Sequence, residues 1–150
     1  MDRCVRGALT GTLLVLSATC VADAGDPSAA ARNYLQYCSG CHQVDGRGSA
    51  PNRVPTFVDS LGHFARTLTG RAFLIQVGGV AQSSLVDREI ADLLNWLLAT
   101  YDPKDLPADF ARYAADEVKL QRSNRPADLS AVRQSIAQEL AARGFAITRY

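Results

Sequence analysis

The chain has 150 residues, 47% of them hydrophobic, and 16 Lys+Arg against 15 Asp+Glu give a formal net charge of +1. That length suits one domain with appendages, and near-neutrality argues against nucleic acid as a partner. No internal repeat or low-complexity tract interrupts it.

Arg3 and Arg6 precede a mostly apolar run from Ala8 to Val21, followed by Ala22-Asp23-Ala24. This is the layout of a secretory signal cleaved after Ala24, so residues 1–24 are expected to be removed and the mature chain exported to the periplasm. The apolar run is too short and too soon interrupted to favour a membrane-spanning anchor. Thr19 before Cys20 is a poor residue for lipoprotein processing. Removal of the segment takes Cys4 and Cys20 with it and leaves Cys38 and Cys41 as the only thiols, so no structural disulfide is expected in addition.

Asp26 followed by Pro27 reads as an N-cap with proline in the first helical turn, opening a helix through Ala30, Tyr34 and Leu35. That helix leads into Cys38-Ser39-Gly40-Cys41-His42, the attachment pattern of a c-type haem. Two thiols add to the two vinyl groups of one porphyrin, and the adjacent imidazole falls beneath the iron. A thioredoxin-like CxxC would follow a strand, and no strand-like alternation precedes Tyr37. A zinc site would need two more ligands at suitable spacing, and only His63, Cys4 and Cys20 remain.

After His42, Asp45-Gly46-Arg47-Gly48-Ser49-Ala50-Pro51 is loop chemistry, with glycines expected to permit close approach of the backbone to the porphyrin. Between Ser60 and Val77 a short helix or turn precedes a helix from about Gly70, with Phe73, Leu74 and Val77 expected to line the haem crevice. From Asp87 to Tyr101 the residues Ile90, Leu93, Leu94, Leu97, Leu98 and Tyr101 share one face of an amphipathic helix, with Asp87 and Glu89 in its first turn. Asp102-Pro103 ends it. Beyond lie a polar helix from Ala114 to Arg122 and a second from Ser130 to Arg143, stopped by Gly144. The second carries an apolar stripe of Leu129, Val132, Ile136 and Leu140, which either folds back on the preceding domain or docks on a partner. The expected organisation is therefore all-α, with a signal peptide at 1–24, a haem domain at 25–101 and a helical extension at 102–150. A haem domain of fewer than about 80 residues has a small core, and the covalent cofactor would brace it.

From about Pro27 to Tyr101 the sequence resembles the monohaem c-type cytochromes of class I. The resemblance rests on Tyr34-Leu35-Gln36-Tyr37 before the CSGCH, Asp45-Gly46-Arg47-Gly48 after it, Val54-Pro55-Thr56-Phe57, and Leu85 to Ile90 opening the last helix of that stretch. It implies one covalent haem c on Cys38 and Cys41, with His42 as proximal iron ligand. It further implies the Pro55 carbonyl as acceptor for the His42 ring N–H, with Pro51 as the competing position, and Trp96 packing across the N-terminal helix. One departure concerns the iron. The family supplies a methionine just before the last helix, whereas here that region is Gly78-Gly79-Val80-Ala81-Gln82-Ser83-Ser84 and the only methionine is Met1. The candidates for the sixth iron position are His63, Gln82, another residue, or an open site.

The function implied is that of a periplasmic one-electron carrier rather than an enzyme, passing electrons between a dehydrogenase and a terminal oxidase. The chain offers no serine-histidine-aspartate set and no phosphate-binding glycine loop after a strand. Two other readings stand beside it: a haem enzyme or gas or peroxide sensor with an open iron position, and a haem subunit held in a dehydrogenase or oxidase complex by the extension. Arg47, Arg53, Arg66 and Arg71 against the single acid Asp59 make the stretch from Gly46 to Gln82 locally basic, which suits an acidic docking surface on a redox partner.

Overall fold

The computed structural model describes residues 26–148. The expected signal segment, with Met1, Cys4 and Cys20, lies outside them. The described residues form an all-α fold: α1 (Pro27–Tyr37), α2 (Ser39–His42), α3 (Leu61–Phe64), α4 (Leu68–Gln76), α5 (Gly78–Ala81), α6 (Asp87–Tyr101), α7 (Ala115–Ser123) and α8 (Leu129–Ala142), with a 3-10 turn at Pro103–Asp105. The only extended pairing among them is an isolated bridge between Ser49 and Val54. No helix among the described residues is long and apolar enough to cross a membrane.

The amphipathic pattern of α6 places Ile90, Leu93, Leu94, Leu97 and Leu98 in the core, each at most 3% exposed. Its start is held by the Glu89 carboxylate, which accepts from the Val86 N–H at 2.9 Å. Helix α1 packs across this face. The Asp26 carboxylate caps α1 by accepting from the Ser28 N–H at 2.9 Å. Eight residues along, Tyr34 is buried with its ring 5.5 Å from that of Trp96 and 5.3 Å from that of Tyr101. Aromatic pairs at such separations add to the area they bury, which fixes how far the C-terminal end of α1 reaches.

The sequence pattern suggested one buried face for α6, but a second is covered as well. Asn95 lies on it, fully enclosed, donating from Nδ2 to the Tyr113 carbonyl at 3.0 Å and accepting from the Tyr113 N–H at 2.8 Å. Helix α7 packs here, with Val118 fully buried. Helix α8 lies against α4 and buries Ile136 and Leu140 completely, so its apolar stripe folds back on the rest of the chain. Its end is the expected one: Gly144 sits at φ +81°, its N–H bonds the Ala141 carbonyl at 3.0 Å, and the Phe145 N–H bonds that of Leu140 at 2.9 Å.

The extension therefore shares one hydrophobic core with residues 26–101. Ile136→Ala is expected to cost about 2–5 kcal/mol and to shift the whole unfolding transition in urea, because it opens a cavity in that common core. An unchanged main transition in the variant would mean that α8 is an independent appendage.

Candidate functional site

Helix α1 ends at Cys38, and α2 is a single turn that brings Cys38, Cys41 and His42 together. The Cys38 carbonyl accepts from the N–H groups of Cys41 at 3.1 Å and His42 at 2.9 Å. Both thiols are free, Cys38 half-buried and Cys41 exposed. Burial, with Cys41 beside it, pushes the Cys38 thiol above its ordinary pKa.

The His42 ring is fixed on two sides. Its Nδ1 donates to the Pro55 carbonyl at 3.1 Å, and the ring stacks on Phe57 with centroids 4.1 Å apart and planes 17° off parallel. A carbonyl only accepts, so this bond puts the ring proton on Nδ1 and leaves Nε2 with a lone pair. Burial lowers the His42 pKa while the Pro55 bond opposes it, which favours the neutral imidazole.

The loop that returns from His42 to Pro55 is shaped by two glycines. Gly48 has φ +67°, and a Cβ there would lie 2.4 Å from the Val54 carbonyl oxygen and 2.5 Å from that of Pro55. Gly46 has φ +71°, and a Cβ there would lie 2.7 Å from the Tyr101 ring. The close approach these glycines permit is thus to the Pro55 peptide and to Tyr101. Tyrosine hydroxyls complete the loop: that of Tyr34 donates to the Gln43 carbonyl and that of Tyr101 to the Val44 carbonyl at 2.9 Å.

The apolar residues Leu35, Tyr37 and Val44 flank the turn and are exposed. The segment after α4 runs beside it, with the Ser84 hydroxyl donating to the Tyr37 hydroxyl at 3.2 Å and with Val77 and Val80 half-buried against the core. Of the residues expected to line a crevice, Phe73 and Leu74 are buried in the core, Phe73 stacked on Phe64. Two thiols and a neutral imidazole on one helical turn, with exposed apolar side chains around them, are a donor set and a setting that fit a covalently attached haem.

The two candidates for a sixth iron ligand are placed differently. His63 is buried in α3 with its ring 5.2 Å from Phe145, its Nε2 4.0 Å from Asp105, and its Nδ1 without a hydrogen-bond partner. Those neighbours belong to the extension, whereas those of His42 are Pro55 and Phe57, so nothing in the described contacts links the two imidazoles. Gln82 is the exposed C-cap of α5.

The basic stretch needs correction. Arg71 is bound in a fork by Glu117, at 2.6 and 2.8 Å, and lies over the Tyr113 ring at 4.0 Å. Arg66 donates to the Asp105 carbonyl at 2.7 Å and lies over Phe145. Glu117 of the extension neutralises Arg71, while the Asp105 carbonyl and the Phe145 ring hold the Arg66 guanidinium in place. Arg47 and Arg53 remain exposed, and Arg47 pairs with Asp45 at 3.3 Å.

Asp102, legible in the sequence only as a helix stop, is fully buried. It accepts from the Gly62 N–H at 2.8 Å and lies with Asp59 and Asp105 in a cluster whose carboxylate oxygens are within 4.8 Å of one another. Burial, and then the neighbouring Asp105, raise its pKa from 3.8 to about 6. An acid raised on folding is harder to ionise in the native state, so its contribution falls as pH rises from about 4 to about 6. His42 and His63, both lowered by burial, act in the opposite sense below about pH 6.5. Comparison with Asp102→Asn isolates the carboxylate: between pH 4 and pH 7 the variant should gain on the order of 2 kcal/mol relative to the unmodified chain in urea melts, and a pH-independent difference would contradict this.

No family model matches the chain, and no curated protein matches it. What can be said of its chemistry therefore rests on the turn that carries Cys38, Cys41 and His42.

Proposed function

We propose that the chain carries one haem c, attached through Cys38 and Cys41 with His42 as an axial iron ligand, and that it acts as a periplasmic carrier of single electrons. The observation that carries this reading is the His42 Nδ1 to Pro55 carbonyl bond on the CSGCH turn. Such a bond sets the tautomer, holds the ring plane and raises the basicity of the ligating nitrogen. When bound, the haem supplies the one-electron couple; the chain sets potential and access. Phe57 keeps the His42 ring from turning, and the two tyrosines keep the loop behind it from opening. The crossing of α1 and α6, with Trp96 against Tyr34, further supports the likeness to class I cytochromes.

The partners proposed are redox proteins of the same compartment, a dehydrogenase as donor and a terminal oxidase as acceptor. Of the four arginines of that stretch Arg47 and Arg53 are exposed, and Arg47 is paired with Asp45. A second reading is favoured by composition: with Met1 removed the chain has no thioether to offer the iron. An open or weakly capped sixth position would let it bind a gas or peroxide.

Denatured, acetone-washed protein is expected to keep its haem absorbance, and Cys38→Ala or Cys41→Ala to retain at most one thioether link. Haem that washes out sinks the reading. His42→Ala should abolish normal ligation while leaving the attachment chemistry intact.

The ferric spectrum is expected to lack the methionine–iron charge-transfer band, and the potential to lie below that of methionine-ligated relatives of the fold. An open site should be high-spin and bind carbon monoxide once reduced, with His63→Ala leaving the spectrum unchanged. A low-spin spectrum that His63→Ala converts to high-spin would instead make His63 the ligand.

A further inference from the structure

The guanidinium of Arg122, on α7, makes five hydrogen bonds to the stretch that runs from the last residue of α5 to the first of α6. Its Nε and Nη2 donate to the Ala81 carbonyl at 3.1 and 3.0 Å, and Nη2 also to the Ser83 carbonyl at 3.1 Å. Its Nη1 donates to the Leu85 carbonyl at 3.2 Å and to Asp87 Oδ1 at 2.8 Å. The side chain is 22% exposed. The segment joins α5 to α6, and α5 is one turn long, so its end leaves carbonyls without helical partners. The far side of α5 is tied to the same part of the extension: Gln76 donates to Gln121 Oε1 and to the Asn124 carbonyl, both at 3.1 Å, and Arg125 donates to the Gln76 carbonyl at 2.8 Å.

The segment so held reaches the end of α1, where the cysteine turn begins. Ser84 reaches Tyr37, the residue before Cys38, while Val77 and Val80 pack against the same core as Cys38. Only a planar fork with donors in three directions serves three carbonyls and a carboxylate at once; a lysine ammonium in its place keeps the charge and loses the geometry.

We infer that Arg122 is the positioning residue for the 81–87 segment, and that through it the extension sets how closely this wall covers the cofactor held by Cys38, Cys41 and His42. The inference rests on the haem reading above. It gives α7 a role in the site although no residue of that helix touches the cysteine turn in the described contacts.

The test compares Arg122→Lys with Glu117→Gln in the full chain. Glu117→Gln weakens the tie of α7 to Arg71 and α4, away from the 81–87 segment, and serves as the purely structural control. Arg122→Lys should raise hydrogen exchange at the amides of 81–87 roughly tenfold relative to the rest of the molecule, as expected for local opening of a loop that has lost its partners. It should also shift the reduction potential and speed carbon monoxide binding to the reduced protein by roughly threefold or more, since access scales with the open population. Glu117→Gln should lower the thermal midpoint and change neither loop exchange nor potential. If the two variants behave alike, or if Arg122→Lys leaves both potential and carbon monoxide binding unmoved on a haem-bearing protein, the inference is overturned and the haem reading stands. An unmodified chain with no covalent haem overturns the reading beneath it. Should Arg122→Lys fail to accumulate, Asp87→Ala removes one of the five contacts with the guanidinium in place and should move the same readouts in the same direction by less; no movement counts against the inference.

Discussion

Burial of α6 on two faces is the constraint from which the rest of the molecule follows. One face takes α1, through Tyr34 against Trp96 and Tyr101, and so places the end of α1 where Cys38 begins the single turn of α2. The other takes the segment around Tyr113 through the paired hydrogen bonds of Asn95, and so places α7. Each fully buried Leu or Ile of α6 contributes about 1.5–3 kcal/mol, and Asn95 is admitted among them because both ends of its amide are satisfied. The cysteine turn and the arginine that holds the facing segment are thus positioned by one helix, from opposite sides.

Around His42 the same aromatic residues do two jobs. Tyr34 and Tyr101 fill the contact between α1 and α6 with their rings, and with their hydroxyls they take the carbonyls of Gln43 and Val44, which lie in a tight loop with no helical partner. That loop then closes on itself through the Ser49–Val54 bridge, and Gly48 lets the Val54–Pro55 peptide come within reach of the imidazole. The Pro55 carbonyl is therefore held by backbone packing, while Phe57 limits ring rotation from the other direction. Two independent restraints on one imidazole hold its plane and its tautomer, achieved with carbonyls, rings and glycine conformation alone.

What could be read in the sequence was what local chemistry writes into it. The Asp26-Pro27 start, the stripe from Ile90 to Tyr101, the stop at Asp102-Pro103 and the Gly144 end each depend on residues within a turn or two of one another, and each is found in the fold. The assignment of Pro55 over Pro51 came from likeness, and the hydrogen bond matches it. What could not be read were pairings across long separations: Asn95 with Tyr113, Arg71 with Glu117, Asp102 with Gly62. These involve polar residues that look solvated in a linear reading, because burial of a polar group is decided by whichever distant segment arrives to satisfy it. Phe57 could be read with Pro55 but not placed on the His42 ring, because that stacking depends on how the intervening loop closes.

The fate of the arginines follows from the number of helix ends. A fold built from short helices, three of them four residues long, leaves many terminal and loop carbonyls without an i+4 donor. Arginine is the one side chain with enough donors in a fixed plane to serve several such carbonyls at once. Arg66 takes the Asp105 carbonyl, Arg71 that of Ala111, Arg125 that of Gln76, Arg143 that of Arg66, and Arg122 those of Ala81, Ser83 and Leu85. These five arginines tie the extension to the residues before it.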